Sequence, residues 1–258
     1  MGGTSWLLDL NLFALGVLAC GGGALLFALG AWAFDGPPPG NGGNAVAGAN
    51  LGFLAPLAGV VLVFVTTLTW LQYNRLQSAT QREATRLILL AESAASLGEP
   101  SRTHLFEAIA GYARAVAGPE WEAMARGERS EFATQRMGGL VRAYAAAEAS
   151  TQREWQVLRF GSSLVRELGG DRESRLQAAA AAANPALLGF LGVTVALSVA
   201  QALFLRPPTL STKLAMGALL TGGMMLVALY AFVLAHPFAG PARYSSAPFE
   251  HVAQRVGR

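Results

Sequence analysis

Between Leu51 and Leu71 the chain carries no charged side chain, only apolar and small residues and three threonines. An uncharged run of this length matches the ~20 residues that an α-helix needs to cross a bilayer. Beyond Leu71 charged residues appear, yet Leu76, Thr80, Ala84, Leu87, Ala91 and Ala94 recur at helical spacing, and neither Gly nor Pro intervenes before Gly98. Residues 51–97 therefore read as one helix that spans the membrane and runs on into water. A chain built around such an element is a membrane protein with a helical soluble domain attached.

Composition points the same way. At 53% hydrophobic, 14% charged and a mean hydropathy of +0.39, the chain is too apolar for an ordinary soluble domain. The net charge of +3 is small and acids interleave with bases, so the clustered basic face of a nucleic-acid binder is missing. The single cysteine, Cys20, supports neither an intrachain disulfide nor a cysteine-rich metal site. The first apolar run, Leu10 to Phe34, lacks a basic start and is longer than a signal-peptide core, so it reads as a span that stays.

The fold expected is an all-α membrane protein: four transmembrane helices with a helical soluble domain inserted between the second and third. Residues 1–72 form a hairpin of spans at about 10–34 and 51–72, and 73–184 form the soluble domain. Residues 185–236 form a second hairpin with spans at about 185–205 and 213–235, and 237–258 remain as a polar C-terminal tail. In the first span, Gly16, Cys20, Ala24 and Ala28 make a stripe of small residues at every fourth position, suited to close helix approach. Trp32, Phe34, Trp70 and Tyr73 suit the membrane interfaces. Residues 35–50, with three prolines and several glycines, read as a hairpin loop.

Within the soluble part, Ser101 or Thr103 is expected to cap a helix bearing Leu105, Ile109, Tyr112 and Val116 on one face, interrupted at Pro119. Thr151 and Glu154 have capping-box spacing, and Gly169–Gly170 is expected to end the helix they start. Four spans leave both termini and the domain on one side. That side carries Arg75, Arg82, Arg86, Arg172, Arg175 and Arg243, whereas the other holds Asp35, Arg206 and Lys213. The positive-inside rule then puts the domain in the cytoplasm.

No catalytic constellation is visible. His104 is the one histidine of the domain, without a nucleophile or an orienting partner. The acids of 73–184, interleaved with arginines, read as a solvated, salt-bridged face. The expectation is no enzyme, no cofactor and no metal. The spans have no ionisable group in their central parts, which weighs against an ion-coupled transporter. Neutral polarity remains. Thr66, Thr69 and Tyr73 lie on one face of the second span, and Thr194, Ser198 and Gln201 on one face of the third. Such groups either line a wet path, with Phe64 and Leu68 as a hydrophobic constriction, or glue neighbouring helices together.

Several segments taken together resemble a known family. They are NAVAG (44–48), TWLQYN (69–74), REA (82–84), EWEAMARG (120–127), ESRL (173–176) and HPFAGPARYSSAPFE (236–250). Their order and spacing are similar to those of the bestrophin-like domain family of bacterial membrane proteins, mostly of unassigned function. The tail motif is the most specific piece: Pro237, Phe238, Gly240, Pro248 and Phe249. The acidic calcium-binding cluster of animal bestrophins is absent from the sequence. The resemblance implies an oligomeric channel in the bacterial plasma (inner) membrane, passing small anions or other small ions through a pore lined by the second transmembrane helix. The partners expected are the lipid bilayer and further copies of the chain. A non-conducting scaffold whose helical domain docks a partner protein is the alternative.

Overall fold

The computed structural model describes residues 12–33, 43–182, 185–207, 209–238 and 243–257. In chain order its helices are α1 (Leu12–Ala33), α2 (Gly43–Ala94), α3 (Ser101–Ala115), α4 (Trp121–Ala125), α5 (Glu131–Ala146), α6 (Gln152–Ala182), α7 (Pro185–Phe204), α8 (Leu210–Ala235) and α9 (Ala247–Val256). Among the described residues there is no strand, and four helices are long and apolar enough to cross a membrane. Two compact units form: residues 1–71 with 182–242, and residues 72–181 with 243–258. Helix α2 is continuous over 52 residues and enters both.

In the first unit, α1 packs on α8 through close backbone approach. Cys20 Sγ donates to the Gly222 carbonyl at 3.4 Å, and a Cβ added to Gly23 would lie 3.1 Å from the Thr221 carbonyl oxygen. Gly217 leaves room for the Phe27 ring, which a Cβ there would meet at 1.9 Å. The contact line runs through Gly16, Cys20, Gly23 and Phe27, while Ala24 and Ala28 turn half away from it. A stripe at every fourth residue advances ~40° past each full turn and drifts off the neighbour, so the contact alternates steps of four and three. A second cluster joins Ala58, Leu62 and Val65 of α2 to Leu191 of α7 and to Met224 and Ala231 of α8.

The second unit has one core. Leu87, Leu90 and Ala94 of α2 meet Leu105, Ile109 and Tyr112 of α3, Leu158, Val165 and Leu168 of α6, and Phe249 and Val252 of α9. All six positions expected on the inner stripe of α2 are buried. The capping box forms as spaced: the Glu154 amide donates to Thr151 Oγ1 and the Thr151 amide to the Glu154 carboxylate, both at 3.2 Å.

Several local expectations fail. Helix α2 starts at Gly43 rather than near 51, since Pro37, Pro38 and Pro39 lie before it and Ala45, Val46 and Ala47 tolerate helix; Pro56 is carried within it. Neither Ser101 nor Thr103 caps α3. Glu99 accepts the Thr103 amide instead, and Ser101 is buried, exchanging hydrogen bonds with the Glu148 backbone. Pro119 does not stop the chain: a single π-helical turn, Val116–Glu120, absorbs it and leads into α4. Helix α6 runs through Gly169–Gly170 unbroken. Each glycine costs about 1 kcal/mol there, which the packed Leu168 and the paired Asp171, Arg172 and Arg175 offset. The tail is not merely polar: after Pro248 in its first turn, α9 buries Phe249 and Val252 in the second unit. Phe34 and Gly240 fall outside the described residues.

Candidate functional site

The membrane half of α2 has an inward and an outward face. Ala58, Leu62, Val65 and Thr69 are buried within the chain, and the Thr69 hydroxyl donates to the Val65 carbonyl at 2.9 Å. Val60, Val63, Phe64, Thr67 and Trp70 point the other way and are exposed. Of the five candidate pore residues, Phe64 is 60% exposed and Thr69 only 4%, while Thr66, Leu68 and Tyr73 lie between. The buried Thr66 hydroxyl oxygen has no hydrogen-bond partner among the described residues. Thr66, Thr69 and Tyr73 therefore do not form one open stripe.

The polar stripe of α7 does share a surface. Thr194, Ser198 and Gln201 line a groove of about 530 Å³ with Asn50, Leu57 and Ala58 of α2. Their hydroxyl protons are already committed, Thr194 to the Phe190 carbonyl and Ser198 to the Thr194 carbonyl, at 2.9 and 2.8 Å. These hydroxyls thus present lone pairs to the groove, and the N–H donors that suit an anion come from the amides of Gln201 and Asn50.

The second unit holds the densest polar site, and it is buried. Arg175 of α6 is 0% exposed. Its Nε donates to Glu83 Oε2 of α2 at 2.6 Å and its Nη2 to Glu120 Oε2 at 2.7 Å. Arg172 closes on the other Glu120 oxygen at 2.5 Å, and the Tyr112 hydroxyl donates to Glu83 Oε1 at 2.5 Å. The guanidinium carbon of Arg175 lies 5.5 Å from the Phe249 ring centroid and 6.0 Å from that of Trp121. Trp121 donates its indole N–H to the Tyr244 carbonyl. Burial alone would make Arg175 easier to deprotonate, but the Glu83 and Glu120 carboxylates reverse this and hold it charged. Burial, then the Glu83 charge, pushes the Tyr112 hydroxyl well above its ordinary range. Further along α2, Arg82 and Arg86 pair with Asp171, and Arg86 also with Glu167.

A bestrophin-like domain family model matches residues 18–249. The chain belongs to the bestrophin-like domain family. No curated protein and no solved structure matches it.

Four of the six segments that carry this family likeness meet at Arg175. REA supplies Glu83, EWEAMARG supplies Glu120 and Trp121, ESRL supplies Arg175, and the tail supplies Tyr244 and Phe249. Two carboxylates face two guanidiniums, so the formal charges of the cluster balance. The cluster pins α2, α3, α6 and α9 together. Glu83 and Glu120, both 0% exposed, correct the expectation that all the acids of this region are solvated. One signal was available: Glu83 sits three residues after Thr80 and four before Leu87, on the buried stripe itself. Of the tail motif, Pro237 and Phe249 are buried and Phe238 and Pro248 half-buried. His104 is exposed on α3, beside Arg142 at a shallow cavity. Among the described residues, no three His, Cys, Asp or Glu side chains gather as a metal site.

Proposed function

We propose that this bestrophin-like chain assembles with copies of itself into a membrane channel that passes small ions, with α2 lining the pore. The observation that carries this reading is the division of α2. One face is spent on the chain's own core, and the opposite face, through Val60, Val63, Phe64 and Thr67, stays open and uncharged. Placed around an axis, that face makes a narrow apolar constriction, with Phe64 suited to gating by dewetting. Family membership supports the same reading.

Anion preference would come from the amides of Gln201 and Asn50, since the neighbouring hydroxyl protons are committed. On this reading the protein is a passive conduit rather than a catalyst. The 72–181 unit is a soluble helical domain inserted between the second and third spans. The arginine bias supports a cytoplasmic position for it and for both termini, with the channel in the inner membrane of a bacterium.

The test is ion flux from liposomes carrying the purified protein, across several salts, alongside its oligomeric state. A cyclic oligomer with flux above empty liposomes supports the reading. Absence of flux in every salt, or a monomer, refutes it and favours a scaffold that docks a partner through the helical domain.

A further inference from the structure

Lys213 lies in the first turn of α8, which Thr209 caps by accepting the Thr212 amide. At the end of a membrane helix a lysine ordinarily stretches its four-carbon stem until the ammonium meets water. This one does not: the residue is 6% exposed, and its Nζ is buried with no hydrogen-bond partner among the described residues. A desolvated ammonium is heavily penalised unless a counter-charge meets it, and no carboxylate among the described residues pairs with this one, so the site calls for an anion. Lys213 lines a cavity of about 420 Å³ in the first unit, with Arg206 beside it and Phe27, Ala202, Leu205 and Met216 among the apolar walls.

A free inorganic anion would answer the charge and leave the apolar walls unfilled. A molecule that joins an anionic group to a hydrocarbon chain answers both. We propose that this cavity binds the phosphate of an anionic phospholipid. Lys213 Nζ donates to the phosphate, and the nearest acyl methylenes lie against Phe27 and Met216. This does not depend on whether the chain conducts.

The experiment titrates the purified full-length protein in detergent with phosphatidylglycerol, phosphatidylcholine or inorganic phosphate, reading bound lipid by native mass spectrometry and thermal stabilisation. The wild type should prefer phosphatidylglycerol, and inorganic phosphate should not reproduce its effect. Lys213→Met should weaken phosphatidylglycerol on the order of 10–100-fold, the loss of a hydrogen bond between charged groups. Lys213→Arg should retain most of the affinity. Met216 is 61% exposed, so Met216→Trp fills the cavity from its open side and should also reduce binding even if Lys213→Met fails to fold. Equal phosphatidylglycerol binding by the wild type and either Lys213→Met or Met216→Trp overturns the proposal. Equal binding of phosphatidylcholine, or equal stabilisation by inorganic phosphate, also overturns it.

Discussion

Arg175 is the side chain on which the second unit depends, because two buried carboxylates share it. Arg175→Met should destabilise the protein by about 3–5 kcal/mol, since it leaves the buried Glu83 without its guanidinium partner and Glu120 with Arg172 alone. Denaturant unfolding followed by far-ultraviolet circular dichroism measures this; a loss below about 1 kcal/mol would show that the cluster is dispensable. Tyr112 gives a pH signature with a definite sign. Its ordinary value is 10.0 and burial raises it in the fold, so above pH 10 the unfolded chain sheds a proton that the folded chain keeps. Stability should therefore fall as pH rises past 10, and Tyr112→Phe should flatten that slope. The spacing alone put Glu83 on the inner face of α2. That its partner stands 92 residues away on another helix was not legible, because pairing across the fold leaves no periodic trace.

Among elements, the contact between α1 and α8 rests on residues without bulk. A Cβ at Gly217 would sit 1.9 Å from the Phe27 ring, so Gly217→Ala should cost about 1–3 kcal/mol through overpacking. A thermal melt of the purified protein would register it. At the start of α6, the Ser150 amide, then those of Gly98 and Thr151, hold the Glu154 carboxyl below its ordinary value of 4.5. A depressed carboxyl contributes above that value and loses its contribution as pH falls through its folded pKa. The amide resonances of Ser150 and Thr151 should shift with acidification below 4.5, and Glu154→Gln should abolish the shift. The box was readable because its two members are three residues apart. The unbroken α6 and the π turn at Pro119 were not, since local propensity favours a stop and only distant packing overrides it.

For the whole molecule, the open face of α2 is what another copy or a pore would meet. Cys20 is the chain's one thiol, so a Cys20→Ser background allows cysteine scanning. Phe64→Cys should give disulfide-linked dimers in membranes under oxidation, whereas Thr69→Cys, at a position 4% exposed, should not. Cross-linking at Thr69→Cys but not Phe64→Cys would place the axis on the other side of the helix.

The order of residues was enough to read that the chain is helical, that four stretches are long and apolar enough to cross a membrane, and to which family it belongs. Hydrocarbon thickness and helical period are local rules that act on consecutive residues. Which face of α2 turns inward, which acids are buried and why Lys213 is shut from water were decided only by tertiary structure. These depend on what side chains from distant segments leave uncovered or neutralise, and a linear pattern of polarity does not record that.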